Sequence, residues 1–231
     1  IDGFVYLSGN FAFEKSDELF VTLVGSTTTT RVSALKIGGS AINAFVGIGD
    51  PDSDGDGIFE GTDDAAFKGA LGVALQNVEF GLALMRPVVA TGQPASTKSY
   101  FALKARGSAR LVGIDGFTLE GSLQLEVNSA SDGGTPIPVV DFTRLPGNKL
   151  GIATGPGNAP VVDLDFSGRL LRAAGKVTIQ IDQFVFVQGS FAFEKGATYS
   201  FNDGFDDITV DAVTFGANDV NVFVGSGPYW T

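Results

Sequence analysis

The feature that most constrains the fold of this chain is an internal repeat. Residues 1–15 read IDGFVYLSGNFAFEK and residues 181–195 read IDQFVFVQGSFAFEK, with ten identities in fifteen positions at an offset of 180. Residues 32–49 and 210–227 match at eight of eighteen positions at an offset of 178, so the connection between the matches is two residues shorter in the second copy. Self-similarity of this kind indicates equivalent supersecondary units that pack against their neighbours.

The repeat predicts how the chain is divided. Residues 1–180 are one complete β-rich unit with an acidic loop at 50–64, and residues 181–231 begin a second copy of the same unit. Familiar solenoid repeats are only roughly 20 to 50 residues long, so a period near 180 favours tandem units or a long array of strands. A duplication inside a single compact domain is the alternative.

The residue pattern predicts strands along almost the whole chain. In residues 10–14, phenylalanine alternates with small or charged residues, as in a strand with one buried and one exposed face. We therefore predict an all-β fold with an elongated repetitive architecture, either a β-solenoid-like stack or a long β-meander; an antiparallel β-sandwich is the alternative. Similar alternating or apolar runs, most of them bounded by turn-forming residues, lie at 32–37, 42–47, 71–76, 78–85, 138–143 and 176–187.

Composition excludes several classes of protein. The chain has no histidine and no cysteine, which rules out Ser-His-Asp and Cys-His triads, thiolate metal sites and disulfides. Its formal net charge of −11 disfavours nucleic acid as a partner. No run approaches the roughly 18 to 20 apolar residues that a membrane helix needs, so we expect no membrane insertion.

One acidic segment has the spacing of a calcium loop. Residues 52–63 follow the pattern D-x-D-x-D-G with a further Asp at the twelfth position, and Gly57 permits the sharp turn that such a loop makes. Ca²⁺ takes roughly six to eight oxygen ligands, and alternate carboxylates can wrap one side of the ion. The predicted ligands of the Ca²⁺ cofactor, at loop positions 1, 3, 5, 7, 9 and 12, are Asp52, Asp54, Asp56, the carbonyl group of Ile58, Glu60 and Asp63.

This loop resembles the calcium loops of dockerin modules and thrombospondin type 3 repeats, which also close with Asp. The whole chain resembles the tandem repeat units of giant, acidic, calcium-dependent bacterial surface or secreted adhesin-like proteins. That resemblance implies a non-catalytic structural repeat, extracellular or at the cell surface, that forms a calcium-stabilised rod, filament or adhesin stalk. Its partners would be neighbouring copies of the same repeat, joined head to tail or as a homopolymer, with a surface glycan as a further candidate.

Two other functions remain open from the sequence. Segments 90–98, 129–138 and 145–160 are rich in Pro, Gly, Asn, Thr and Ser and are predicted to be irregular surface loops. They favour, as the alternative function, a carbohydrate- or surface-ligand-binding β module, in which an exposed Tyr100, or Tyr229 with Trp230, would form the sugar platform. An enzyme of the β-helix lyase kind would instead place calcium beside Arg106 or Arg144. We expect no catalytic residues.

Overall fold

The computed structural model describes residues 5–52 and 69–227 of the 231-residue chain. Within these residues the predicted all-β class is confirmed, and every strand pairing is antiparallel. Among the three predicted architectures, the antiparallel pairing of strands that follow one another in sequence fits the long β-meander in the described part of the chain. The sheet is open, with a first and a last strand.

Eleven strands are described, and eight of them form the main path of one sheet. That path runs β1-β2-β3-β4-β5-β9-β10-β11, while β6 extends from β5 and β7 pairs with β8 in a separate hairpin. Nearly all neighbours in the sheet are also neighbours in sequence, which is how a meander is built. The strands are β1 Val5–Thr22, β2 Thr29–Ile48, β3 Leu71–Pro87, β4 Lys98–Val112, β5 Phe117–Asp132, β6 Thr135–Pro136, β7 Leu150–Ala153, β8 Val161–Leu164, β9 Leu170–Ile181, β10 Val185–Asn202 and β11 Asp207–Val224.

Three of the β-bulges in the long strands share one design. A residue with positive φ is followed by Ile or Val, and these two residues lie opposite a single glycine of the neighbouring strand. A Cβ atom on that glycine would lie 2.7–2.9 Å from the Ile or Val, so only glycine fits there. The three bulges, each followed by its glycine, are Ala41–Ile42 with Gly9, Asn77–Val78 with Gly107, and Asp219–Val220 with Gly189.

A second layer, residues 137–169, covers part of one face of the sheet. We call this segment the covering layer and the sheet face beneath it the covered face. It contains two short 3-10 helices, Phe142–Arg144 and Pro146–Asn148, and the β7-β8 hairpin. The residues that form this core are Val21, Val32, Ala34, Ala83, Met85, Tyr100, Ala102 and Ala130 of the sheet, with Val139, Val140, Phe142, Leu145, Leu150, Ile152, Leu164 and Phe166 of the covering layer.

The prediction of irregular surface loops was wrong in part for residues 129–138 and 145–160, where exposed turns stand beside strands and buried side chains. The first segment continues β5 and adds β6, and the second carries fully buried Ile152 and Thr154. The run at 138–143 is also not a strand, because only Val140 bridges to Leu23 there before a 3-10 helix begins. Proline and glycine gave these segments the composition of loops, although their apolar side chains are buried.

The predicted boundary at residues 180 and 181 falls inside the main sheet. Ile181, the last residue of β9, pairs with Phe117 of β5 on one side and with Val185 of β10 on the other. The second predicted copy is therefore hydrogen-bonded to the first through β9 and β10. The division into one complete unit and the start of another stays a prediction.

Candidate functional site

The acidic loop is held between two paired strand ends. β2 ends at Ile48 and β3 begins at Leu71, and these two residues pair with each other. Gly49 and Gly69 follow and precede them with positive φ, and a Cβ on Gly49 would collide with the carbonyl oxygen of Gly69. The connection therefore leaves and re-enters the sheet at neighbouring points, a geometry that glycine permits.

The described start of the loop places carboxylates beside an aromatic residue. Pro51 is fully buried, and the backbone N–H of Asp52 donates to Oδ1 of Asp50 at 3.0 Å. Burial raises the pKa of the Tyr6 phenol, and the Asp50 and Asp52 carboxylates raise it further, because a phenolate would be repelled by their charge. Tyr6 packs on Phe45, with ring centroids 6.4 Å apart. Negative charge therefore accumulates where the loop begins.

Of the predicted calcium ligands, only Asp52 belongs to the described part of the chain. Asp54, Asp56, the Ile58 carbonyl, Glu60 and Asp63 lie outside the described residues. Residues 5–52 and 69–227 by themselves contain no group of three or more acidic side chains that could hold a metal ion. The calcium site stays a prediction that rests on the sequence spacing.

The repeated sequences form two hairpins with the same register. In the first hairpin Val5 pairs with Val46, and in the second Val185 pairs with Val224, which are the residues 180 and 178 positions further on. The bulge lies at the equivalent place in both hairpins, in β2 and in β11. The β1-β2 and β10-β11 hairpins are therefore equivalent in backbone pairing as well as in sequence.

The difference of two residues between the hairpins lies in their turns. Residues 23–28 join β1 to β2, whereas residues 203–206 join β10 to β11. In the shorter turn Asp203 accepts hydrogen bonds from the backbone N–H groups of Phe205 and Asp206, each at 2.9 Å. These bonds hold the pKa of the Asp203 carboxyl below its usual value. A turn can shorten in this way without moving the strand register.

Each edge strand of the sheet has an internal equivalent that is paired on both sides. Among the described strands, β1 pairs with β2 alone, but its equivalent β10 lies between β9 and β11. In the same described part of the chain, β11 pairs with β10 alone, but its equivalent β2 lies between β1 and β3. The strands that pair with β10 and β2 inside the sheet therefore indicate which sequences are compatible with pairing to β1 and β11.

A ladder of alternating charges crosses the covered face. The ladder has one residue on each of four neighbouring strands, and each residue is paired with the next. In the order β4, β5, β9 and β10, these residues are Lys104, Glu126, Arg172 and Glu194. Glu126 is buried, and its carboxylate lies 3.7 Å from Nζ of Lys104 and 3.0 Å from Nη1 of Arg172. Arg172 also contacts Glu194 at 2.8 Å, and this bond is the main cause of its raised pKa. Two cations thus compensate the cost of burying Glu126.

A shorter piece of the same pattern lies at the opposite edge of the sheet. Glu14 of β1 is the sequence equivalent of Glu194, and its carboxylate accepts from Nζ of Lys36 at 2.8 Å. The Glu14 side chain remains 55% exposed, because no strand is paired beyond β1 in the described part of the chain. Glu14 therefore has a cation on one side and an open strand edge on the other.

The sheet face opposite the covering layer is apolar from one edge to the other. We call it the open face. Phe13 near one edge is 71% exposed and Phe215 near the other is 70% exposed. Between them, a groove of about 420 Å³ is lined almost wholly by apolar groups, including Leu111, Leu123 and Phe193. Apolar patches this extensive mark interaction surfaces. Further exposed apolar residues of this face are Leu7, Leu35, Val46, Ile48, Val73, Leu84, Leu119, Leu171, Val213, Val222 and Val224.

The residues proposed for the alternative functions have structural partners. Tyr100, which an exposed sugar platform would use, is buried under the covering layer. Arg106 forms an ion pair with Glu79, and Arg144 lies 3.3 Å from Asp141. Tyr229 and Trp230, the other aromatic candidates, lie outside the described residues.

Comparisons with known proteins leave the chain without an assigned relative. No protein-family model matches it, and no curated protein and no solved structure does so. Within residues 5–52 and 69–227 there is no helix with the length and apolarity needed to cross a membrane. The proposal below therefore depends on the sheet itself.

Proposed function

We propose that the chain is a non-catalytic structural repeat of an extracellular or cell-surface bacterial protein, which forms a calcium-stabilised rod, filament or adhesin stalk. One observation carries this proposal: the same hairpin, in the same register, lies at both ends of one open sheet. A protein that grows by repetition must present, at the end of each unit, the element with which the unit began.

Growth through this sheet would have a defined geometry. Six strands of the main path, β1 to β5 and β9, come before the sequence pattern restarts at β10. Neighbouring strands lie about 4.8 Å apart, so each further unit would lengthen the sheet by about 29 Å. Contacts would be confined to adjacent units, as in other repeat proteins.

The acidic loop supports a role for calcium in this array. The loop connects β2 to β3 within a unit, so an ion bound there would join carboxylates whose mutual repulsion otherwise disfavours a compact loop. Because the two ends of the connection are already paired, the folded sheet would hold the loop ready for the ion. The protein's own residues would supply carboxylate and carbonyl oxygens, and the ion would supply charge neutralisation.

The open face supports a second kind of contact, with the same face of another copy. Eight strands about 4.8 Å apart, each with about 12 paired residues, give a face of roughly 1,500 Å². A standard protein interface takes about 800 Å² from each partner, so this face is large enough for a stable pair of sheets packed about 10 Å apart. Its extended apolar area favours another apolar sheet over a glycan, because a glycan needs polar partners.

We expect this face to make the chain self-associate. In analytical ultracentrifugation, the wild-type chain should sediment as a dimer or larger species, and the double variant Phe13→Lys, Phe215→Lys should shift toward monomer by at least tenfold in dissociation constant. The reason is that both side chains are about 70% exposed, so charging them opposes association with little effect on the fold.

The matched control for this prediction is Phe205→Lys, which changes an even more exposed phenylalanine in the turn after β10. That variant should associate as the wild type does. A wild-type chain that remains monomeric at high concentration would contradict the contact between open faces.

The direct test of the repeat function is to lengthen the protein by one unit. Residues 1–180 are placed before residue 1, so that Ile1 takes the place of Ile181 at the junction. We expect small-angle X-ray scattering, in the presence of calcium, to show one dimension increased by about 29 Å with unchanged cross-section. A flexible pair of separate particles, or an increase in all dimensions, would contradict a rod that grows by sheet extension.

A further inference from the structure

We propose that the β10-β11 hairpin is a docking site for a second covering segment, of the same sequence type as residues 137–169, supplied by a further copy of the repeat. The segment would lie on the side of the sheet that carries the covering layer. This inference rests on the proposed function, because it names the segment that would cover the hairpin with which the next unit begins. It comes from comparing two hairpins that have the same register but differ in what covers them.

The β10-β11 hairpin exposes apolar side chains whose equivalents are buried in the β1-β2 hairpin. Val21 and Val32 are 0% exposed and belong to the core beneath the covering layer. Their equivalents, at the offsets of 180 and 178 residues, are Phe201 and Val210. Phe201 is 51% exposed and Val210 is 40% exposed. Exposed apolar groups at positions that the other hairpin buries indicate an interaction surface.

The β10-β11 hairpin also repeats a glycine at which the covering layer makes close contact. In β2, a Cβ atom on Gly38 would collide with the carbonyl oxygen of Ala153 in β7. Close by, the hydroxyl group of Ser40 donates to the carbonyl oxygen of Thr154 at 3.4 Å. The equivalent of Gly38 in β11 is Gly216, where a Cβ atom would meet no atom of the described residues within 4 Å. The glycine is thus repeated at a position where no described contact requires it.

A groove of about 780 Å³ lies on this side of the β10-β11 hairpin. Its lining includes Ser190 and Ala192 of β10 and Gly216 and Asn218 of β11. Three of these side chains are very small, so a further strand can approach the sheet closely. Asn218 holds the position of Ser40, and its amide group can donate a hydrogen bond to a backbone carbonyl, as the serine hydroxyl does.

The chemistry of this surface fits a covering segment better than a glycan. The occupant has to bring apolar side chains to Phe201 and Val210 and a backbone carbonyl group to Asn218. Residues 137–169 do both on the β1-β2 hairpin, where they supply half of the core and the carbonyl group of Thr154. A glycan would satisfy the polar positions alone and leave the two apolar side chains exposed.

The test uses the absence of cysteine from the chain, so that one introduced thiol reports on one position. With iodoacetamide, Val210→Cys should react as an exposed thiol, and Val32→Cys should react at least about 100-fold more slowly, because a buried thiol reacts only when its segment opens. An extended chain is then made by adding residues 54–180 after residue 231, the equivalent of residue 53. In the extended chain, Val210→Cys should also react at least about 100-fold more slowly.

The matched control is Ile114→Cys, in the turn between β4 and β5. Ile114 is 45% exposed, close to the value for Val210, and should react at the same rate in both chains. Val32→Cys should stay slow in both chains, which shows that the first hairpin keeps its covering layer. Unchanged reactivity of Val210→Cys in the extended chain would overturn the proposal.

A substitution at the repeated glycine tests where the segment lies. In the original chain, Gly38→Val should lower the melting temperature, because its side chain would enter the space of Ala153, whereas Gly216→Val should leave it unchanged. In the extended chain, Gly216→Val should restore the reactivity of Val210→Cys by at least about tenfold, because the added side chain would block the segment. Continued protection of the thiol in that double variant would overturn docking at Gly216.

Failure here can be distinguished from failure of the proposed function. If the chain lengthened before residue 1 is a rod but Val210→Cys stays reactive in the extended chain, repetition stands and the next unit is covered in another way. If the lengthened chain is not a rod, the proposed function itself fails whatever the labelling rates are.

Discussion

Replacing Phe142 by alanine is expected to lower the free energy of unfolding by about 3–5 kcal/mol, the usual cost of removing a buried aromatic ring. Phe142 is fully buried in the core between the sheet and the covering layer. Its ring meets that of Phe166 edge to face with centroids 6.2 Å apart, and its backbone N–H donates to the Phe166 carbonyl at 2.8 Å. The loss should be measured by urea unfolding followed by circular dichroism.

The control for this change is Phe205→Ala, which removes an equally large ring from a position that is 93% exposed. That substitution should alter the free energy of unfolding by no more than about 0.5 kcal/mol. If both variants behaved alike, the covering layer would not be packed on the sheet as described, and the core would have to lie elsewhere.

Calcium is expected to raise the melting temperature of the chain by about 5–10 °C relative to excess EDTA. An ion that binds only the folded state stabilises it by about 2.7 kcal/mol when its free concentration is 100-fold above its dissociation constant. For a chain of about this length, each kcal/mol corresponds to roughly 2–4 °C. The double variant Asp52→Ala, Asp54→Ala should lose the increase, as measured by thermal unfolding in EDTA and in millimolar calcium.

The matched control for the calcium prediction is Asp203→Ala, Asp206→Ala. These residues lie in the other acidic turn, which lacks the alternate spacing of the loop. This variant can be less stable in itself, because Asp203 accepts two backbone hydrogen bonds, but its response to calcium should be retained. Identical melting curves of the wild type with and without calcium would remove the ion from the proposed function.

The strands were predictable because one face of the sheet is apolar throughout. Alternation of side chains is a local property of the sequence and does not require knowledge of the partners. The lengths were underestimated where a bulge shifts the alternation. The runs at 32–37 and 42–47 belong to the single strand β2, and those at 71–76 and 78–85 belong to β3. Conversely, the run at 176–187 contains the turn between β9 and β10.

The covering layer was not predictable in the same way. Burial alternates with period 2 only in the short strand β7, where Leu150 and Ile152 are buried. Other buried residues of the layer, such as Val140 and Phe142, belong to turns and short helices. Their burial is decided by contact with distant strands. Asn128 illustrates this: its buried amide donates to the carbonyl groups of Val140 and Gly168, and so fastens the layer to β5.

The candidate site was predictable only where it consists of repeated sequence. The ten identities near residues 1 and 181 predicted equivalent supersecondary units, although not that these units are hairpins. The charge ladder could not be found from the sequence, since Glu126 and Arg172 are 46 residues apart and meet only through the register of β5 and β9. The spacing of the acidic loop remains a sequence prediction beyond Asp52.

The parity of the strand count has a consequence for the margins of the sheet. Six reversals of direction separate β1 from β10, so the two equivalent strands point the same way. The second copy of the repeat is therefore related to the first by a translation along the sheet, with no reversal of strand direction. Any further unit added in this manner would carry its acidic connection along one margin and its covering layer toward the other, at regular intervals. In an array of units with an odd number of strands, the acidic connections and the covering layers would alternate between the two margins. Each margin would then carry both features.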